Sequence, residues 1–313
     1  MSNVPYVSIA YLTIACTSSC LETFTVNALA IPPDFSISAT VSSAGAMSAT
    51  TTFAPSVASF NAIPRPSPLP APVTGGAKGL CNGMAQALHD AGAEVVLLDI
   101  LDIVEDSAKE MAKEGAMVHA VKGDLSDTDS LESVYNQCLE KLGGRVDILL
   151  NGAGIQYRAP AVDFPHDRWE KIVAINMNAV FYLSQLAGKT MIEQKYGKII
   201  NIASMTAFFA SVLIPAYSAS KGGVAQITKA LSNEWSSHGV NVNAIAPGYM
   251  ATELTANMKE VNPKQYEEIT GRIPMGRWGN PEDLQGLVVF LASDASAYIS
   301  GAVIPVDGGF MGK

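Results

Sequence analysis

Cysteine is scarce in this chain of 313 residues: the four are Cys16, Cys20, Cys81 and Cys138, in no disulfide or metal-site spacing. That scarcity suits a reducing compartment, and the cytoplasm is the expected location. HExxH and paired CxxC motifs are missing as well, so no metal is expected. Charge is sparse, at 16% of residues with a net of −9, and no basic run occurs. Such a chain offers little for a phosphate backbone or an anionic bilayer to hold, which excludes nucleic acid and membrane surfaces as partners. Long apolar runs are absent too. Residues 4–16 are too short, and too rich in Ser, Thr and Tyr, to span a membrane. Ala28-Leu29-Ala30 has the form of a cleavage site, but the basic stretch of a secretory signal is missing. The first arginine is Arg65, which argues against a mitochondrial presequence.

What is present divides near residue 73. Residues 1–72 carry three charges (Glu22, Asp34, Arg65), nine of the seventeen prolines and a Ser/Ala/Thr run from Ser36 to Ser59. No helix or strand period persists there, and the composition reads as disorder. From Val73 to Lys313 the pattern is strand, then helix, repeated, as in one domain. Apolar runs at Glu94–Asp99, Val146–Asn151, Lys198–Ser204 and Val240–Pro247 read as strands buried on both faces. Helices are expected over Val104–Glu114, Trp169–Gln194, Ala216–Ser237 and Pro281–Ser293. This alternation predicts an α/β fold, a doubly wound parallel sheet with helices on both faces. Its ligands bind at the carboxyl ends of the strands.

Two spacings carry chemistry. Thr74-Gly75-Gly76-Ala77-Lys78-Gly79-Leu80 opens a helix over Cys81–Ala91. Glycines in a strand-to-helix turn let a pyrophosphate approach the backbone at the helix N-terminus. The next strand ends in Asp99, twenty residues after Gly79. A carboxylate there accepts hydrogen bonds from ribose hydroxyls and repels a 2′-phosphate, favouring NAD over NADP. Asp99 also reads as an ordinary strand-end residue, and Lys78 is a cation that suits a 2′-phosphate. The second spacing is Tyr217 to Lys221, with Ser204 thirteen residues before the tyrosine. Residues four apart share a helix face, so phenol and ammonium project together. The ammonium is expected to lower the tyrosine pKa from about 10 toward neutrality, making a general acid/base.

Together these residues resemble the short-chain dehydrogenase/reductase family, from Val73 to the C-terminus. Thr74, Gly75 and Gly79 match its glycine motif, and Asp124-Leu125 its adenine contact. Asn151-Gly152-Ala153-Gly154 is similar to its Asn-Asn-Ala-Gly turn. Pro247-Gly248 and Thr252 match the segment against the nicotinamide, and Asp307-Gly308-Gly309 its C-terminal signature. The resemblance implies a Rossmann-type fold and a catalytic set of Asn176, Ser204, Tyr217 and Lys221. It implies cofactor contacts from Gly75, Lys78, Gly79, Leu80, Asp99, Asp124, Leu125, Asn151, Ala153, Gly154, Tyr217, Lys221, Pro247, Gly248 and Thr252. In that scheme Tyr217 exchanges a proton with the substrate oxygen, and Lys221 bonds the nicotinamide ribose. Ser204 holds the oxygen and Asn176 fixes a water. A homo-oligomer, tetramer or dimer, is implied as well. Residues 197–205 and 241–252 look most like sugar-acid dehydrogenases, the 2-deoxy-D-gluconate 3-dehydrogenase and 2-dehydro-3-deoxy-gluconate 5-dehydrogenase group.

Substrate candidates are Arg158, whose guanidinium fork suits a carboxylate, and more weakly Gln156 and Tyr249. Arg158 reads equally as a surface arginine. Residues 251–275 interrupt the core pattern and are expected to form a small lid. Three departures stand out. Cys81 replaces the third glycine of the nucleotide turn and should crowd it or shift the pyrophosphate. Gly152 replaces the second asparagine of its turn. Prolines at 64, 66, 68, 70 and 72 run into the first strand, which is therefore expected to be truncated or absent. Residues 1 to about 72 are expected to come from a wrong start or a translated intron. A non-catalytic dinucleotide-binding protein of the same fold is the alternative reading. A serine hydrolase built on Ser218-x-x-Lys221 is excluded, because Ser-Asp-Asn and Lys-Thr-Gly are missing.

Overall fold

The computed structural model describes residues 40–41, 47–48, 68–112, 117–252 and 258–312, in two compact units, Met1–Ile63 and Pro64–Lys313. In the first, β1 (Thr40–Val41) and β2 (Met47–Ser48) pair antiparallel. The expectation of disorder otherwise falls, up to residue 67, outside the described residues.

The second unit is built on a seven-stranded sheet in which every neighbouring pair is parallel. Its strands are β3 (Pro70–Thr74), β4 (Glu94–Asp99), β5 (Val118–Lys122), β6 (Ile148–Asn151), β7 (Gly197–Ile202), β8 (Val240–Pro247) and β9 (Val303–Val306). They lie in the order β5-β4-β3-β6-β7-β8-β9, so the chain starts at the centre, winds outward one way, then returns and winds the other. The reversal falls between β3 and β6, where doubly wound sheets open a ligand crevice.

Strand alternation sorts the core into two layers. Val95 and Leu97 of β4 face one side with Met84 and Leu88 of α1 (Gly79–Asp90), Met111 of α2 (Val104–Ala112) and Leu284 and Val288 of α9 (Glu282–Ala292). Val96 and Leu98 face the other, with Cys138 of α3 (Leu131–Lys141), Leu183 and Ala187 of α5 (Ala179–Gln194) and Leu231 of α6 (Pro215–Trp235). Each of these leucines is essentially fully buried and contributes about 2 kcal/mol of transfer free energy.

Of the expectations for the first strand, absence is overturned, while its pairing is cut short on one side. β3 runs the full five residues through the sheet centre and pairs with β4 along its whole length, but with β6 only at Val73 and Thr74. Alternation explains how prolines fit. Leu69 O accepts from Glu94 N and Gly75 N donates to Leu98 O, so odd-numbered residues face β4. Pro70 O accepts from Asp147 N, which places the even positions on the β6 side. Pro70 and Pro72 therefore lose their donors on one edge only, and Ala71 and Val73 keep theirs toward β4.

The single helix expected over Trp169–Gln194 is also corrected. α4 (His166–Val173) and α5 are joined by a π turn over Ala174–Asn178. The strand β5 with its helix α3, and β9, were not among the expected elements. The segment read as a lid contains α7 (Met258–Val261) and α8 (Pro263–Arg272), with residues 253–257 outside the described set.

Candidate active site

α6 begins with Pro215 in its first turn, where the missing N–H costs nothing, and this sets Tyr217 and Lys221 one turn apart on one face. Lys221 Nζ lies 5.7 Å from the centroid of the Tyr217 ring. β7 ends at Ile202, and its extended continuation delivers Ser204, whose hydroxyl accepts from Thr206 N at 3.1 Å and lies close enough to Tyr217 to lower its pKa. The sheet thus supplies the serine and the helix the tyrosine and lysine.

Electrostatics differ from the sequence expectation. Burial raises the Tyr217 hydroxyl above its usual value, and the group that opposes this is the neighbouring Ser204 hydroxyl, not the Lys221 charge. The ammonium is turned elsewhere: it donates to Ile202 O at 2.5 Å. Lys221 is itself so deeply buried that desolvation brings it down to about 8, a loss that Cys81 nearby partly opposes. A lysine near 8 is poised to exchange its proton close to neutral pH.

Asn176 sits in the π turn and is fully buried. Its Oδ1 accepts from Ile155 N at 2.9 Å, its Nδ2 donates to Ile155 O at 2.9 Å and to Ser220 Oγ at 3.3 Å. The extra residue of a π turn aims one side chain off the helical ladder, and here it clamps the loop after β6 to α6. Neither the π turn nor the role of Ile155 is visible in sequence, since a backbone partner leaves no residue signature.

At the other side of the sheet's reversal the residues fit a dinucleotide. Gly75 (φ +70°) lies so near Ala153 that a Cβ would stand 2.9 Å from its Cα. Gly79 (φ +66°) faces open space. Lys78, at the N-cap of α1, makes no side-chain cap, so the first-turn amides are not capped by it and suit a pyrophosphate. Asp99 accepts from Ala77 N and Leu101 N, each at 3.1 Å, tying the glycine turn to the end of β4. Asp124 is held below the usual carboxylate range by the backbone and side chain of Ser126. Leu125 beside it is buried. Asn151 donates to Ser184 Oγ and Asn201 Oδ1, each at 3.0 Å, and so is committed to the core. Gly154 comes close to both Asn176 and Lys221, which joins the two halves of the site. Leu80, Ala153, Pro247, Gly248 and Thr252 lie along the same carboxyl edge of the sheet, β8 ending at Pro247 and Gly248 N donating to Val306 O.

The substrate candidates separate. Arg158 is exposed beyond Asn151–Gly154 and makes no hydrogen bond or ion pair among the described residues, and Gln156 is exposed beside it. Tyr249 is half-buried in an aromatic cluster, 5.3 Å from Trp278 and 5.4 Å from Phe310. Tyr266 of α8 stacks on the same Trp278, which ties that helix to the C-terminal end. A cavity of about 360 Å³ between Tyr249, Met275, Arg277 and Asp307 is lined by none of Asn176, Ser204, Tyr217 and Lys221.

A family model described as Enoyl-(Acyl carrier protein) reductase, of the short-chain dehydrogenase type, matches residues 75–311. The chain belongs to the short-chain dehydrogenase/reductase family. A 2-dehydro-3-deoxy-D-gluconate 5-dehydrogenase of Bacillus subtilis (strain 168) is 40% identical over 241 residues, 77% of this chain and 94% of the relative. Among solved structures, a putative NAD(P)-dependent gluconate 5-dehydrogenase from Beutenbergia cavernae with bound NADP is 40% identical, with a TM-score of 0.75 over 79% of this chain and 98% of that one. A gluconate 5-dehydrogenase from Burkholderia cenocepacia J2315, in complex with NADP and tartrate, is 33% identical, with a TM-score of 0.74 over 80% and 97%. This short-chain dehydrogenase thus shares both its family and its sheet with enzymes whose names specify sugar acids.

Proposed function

We propose that this short-chain dehydrogenase interconverts a secondary alcohol and the corresponding ketone on a sugar acid, with a nicotinamide cofactor. The observation that carries the reading is the convergence of Ser204, at the end of β7, with Tyr217 and a buried Lys221 one turn apart on α6, at the same sheet edge as the glycine turn. When bound, the nicotinamide supplies the hydride donor or acceptor. In reduction the Tyr217 hydroxyl donates its proton to the carbonyl oxygen as that oxygen gains charge, and in oxidation it takes the proton back. Ser204, beside Tyr217, holds the substrate oxygen against it. Lys221, turned toward Ile202 O in this structure, serves the ribose and the proton exchange. Asn176 keeps the Ile155 segment and α6 in register. The intact set speaks against the non-catalytic alternative.

Arg158 is the proposed seat of the substrate carboxylate, because it is an exposed bidentate donor on the segment after β6. The named relatives that act on gluconates, and the neighbour holding tartrate, support an acid over a neutral polyol. Asp99 supports NAD, whereas Lys78 and the NADP-bound neighbours support NADP; the ratio of kcat/KM for the two decides. Residues 251–275 are proposed to cover the substrate. A cytoplasmic homo-oligomer is proposed for the whole protein, its size readable by light scattering. No helix among the described residues is long and apolar enough to cross a membrane.

The test is NAD(H)- and NADP(H)-linked turnover on a panel of sugar acids, ketoses and polyols. Tyr217→Phe should lower kcat by about a thousandfold with cofactor binding nearly unchanged; substantial residual turnover refutes the assignment. Arg158→Ala should raise KM for sugar acids by about tenfold, as expected for a lost charge-assisted pair, and leave neutral polyols unaffected. Equal effects on both classes sink the carboxylate seat.

A further inference from the structure

Two of the places where this chain departs from its family's pattern touch each other. Cys81 stands where the nucleotide turn carries glycine, and Gly152 where the turn after β6 carries asparagine. Cys81 is buried, 7% exposed, on the first turn of α1. A Cβ on residue 152 would overlap Cys81 Sγ and would stand 3.4 Å from Cys81 Cβ and 3.2 Å from Thr74 O. The thiol therefore fills the volume that a side chain at 152 occupies in the ordinary pattern. The sequence expectation that Cys81 crowds the glycine turn is corrected on this point, because the space comes from the far side of the turn.

The surroundings show what the thiol holds in place. Thr74 Oγ1 accepts from Gly152 N at 2.9 Å and from Ala153 N at 3.1 Å. Gly75 lies backbone to backbone on Ala153. The glycine turn and residues 152–154 are thus one packed unit, with Cys81 as its wedge. That unit reaches the catalytic group, since Gly154 faces Asn176 and Lys221, and Cys81 and Lys221 each influence the other's charge.

We propose that Cys81 and Gly152 form an interlocked pair that positions the pyrophosphate turn against the loop carrying Gly154. Each is tolerated because of the other, and Cys81 acts as a positioning residue for cofactor binding. An alanine methyl at 152 can be met by turning the thiol about its one rotor. An asparagine cannot, because Cys81 Cβ and the Thr74 carbonyl still close the space. The inference rests on the nucleotide seat proposed above and not on the identity of the sugar acid.

A four-corner cycle of wild type, Cys81→Gly, Gly152→Asn and the double variant tests it. NADH and NADPH binding is followed by fluorescence titration, and the melting temperature of the cofactor-free protein is read alongside. Overpacking at a closed site makes Gly152→Asn weaken cofactor binding by about tenfold, and the void left by Cys81→Gly weakens it about threefold. The double variant should return to within about threefold of wild type, a non-additivity expected only of residues in contact. Cofactor KM should follow the same pattern, with kcat at saturating cofactor nearly constant. Gly152→Ala should show a smaller loss than Gly152→Asn. Additive losses in the double variant, in binding and in melting temperature alike, overturn the proposal. If Gly152→Asn alone is insoluble, a soluble, binding double variant supports the interlock and an equally insoluble one overturns it. Wild type that binds neither nucleotide refutes the nucleotide seat, while the melting cycle still decides the interlock.

Discussion

An ammonium removed from water destabilises the fold that buries it, and Lys221 does so next to the proposed proton donor. Its folded value near 8 lies below its usual 10.5 because burial disfavours the charged form. The unfolded chain therefore binds the extra proton between about pH 8 and 10.5, and the dehydrogenase gains stability as pH rises through that window. At neutral pH the penalty is present in full, on the order of 3 kcal/mol. Lys221→Met should abolish turnover yet raise the melting temperature at pH 7, with the gain fading toward pH 10.5. A destabilised variant at pH 7 contradicts this account. Tyr217 behaves differently: burial raises its pKa and Ser204 lowers it, so the protonated acid dominates at neutral pH. Ketone reduction should accordingly hold its rate at pH 7, and alcohol oxidation should accelerate as pH rises, which paired pH–rate profiles can check. The Tyr-x-x-x-Lys spacing was enough to bring these two side chains to one face. The direction of the tyrosine shift was not legible, because it depends on depth of burial and on where the ammonium turns.

Among the elements, β3 teaches most. A proline-rich stretch argues against a central strand, yet Pro70 and Pro72 are two apart and so withhold donors from the same neighbour. Ala71 is the position whose N–H faces β4. Ala71→Pro should therefore cost about 3 kcal/mol or more and prevent folding, despite the prolines on either side; a soluble, active variant would show that the β3–β4 ladder is dispensable. Strands buried on both faces, such as β4 and β8, were readable as continuous apolar runs. The edge strands β5 and β9 were not, since only Val121 among their residues is buried and their mixed composition hides the pattern. The π turn at Asn176 escaped for another reason: it inserts a residue into an otherwise continuous helical sequence and changes no local preference.

At the scale of the molecule, two apolar layers enclose the sheet and both described thiols lie inside them. Burial pushes Cys81 and Cys138 up to about 12, so neither presents a thiolate at neutral pH. A thiol reagent at pH 7, with peptide mapping, should leave both unmodified in the native protein and modify both after denaturation. Rapid labelling of Cys81 in the native state would mean that the wedge against Gly152 is not closed. Nucleotide binding should protect further: at a hundredfold excess over Kd, cofactor adds about 2.7 kcal/mol of stability, measurable as slower labelling.

By itself the sequence determined the alternation of strand and helix, and with it the parallel sheet. Its spacings also marked the glycine turn and the Ser204, Tyr217 and Lys221 candidates, because periodicity and residue chemistry are local properties, and Asn176 came from the family resemblance. Only the tertiary structure decided that β3 survives its prolines, since that depends on which neighbour each N–H faces. It also decided that Lys221 is buried and turned to Ile202. And it joined Cys81 to Gly152, which are seventy-one positions apart in the chain and share one volume in the fold. Steric exclusion between distant residues has no signature until the backbone brings them together.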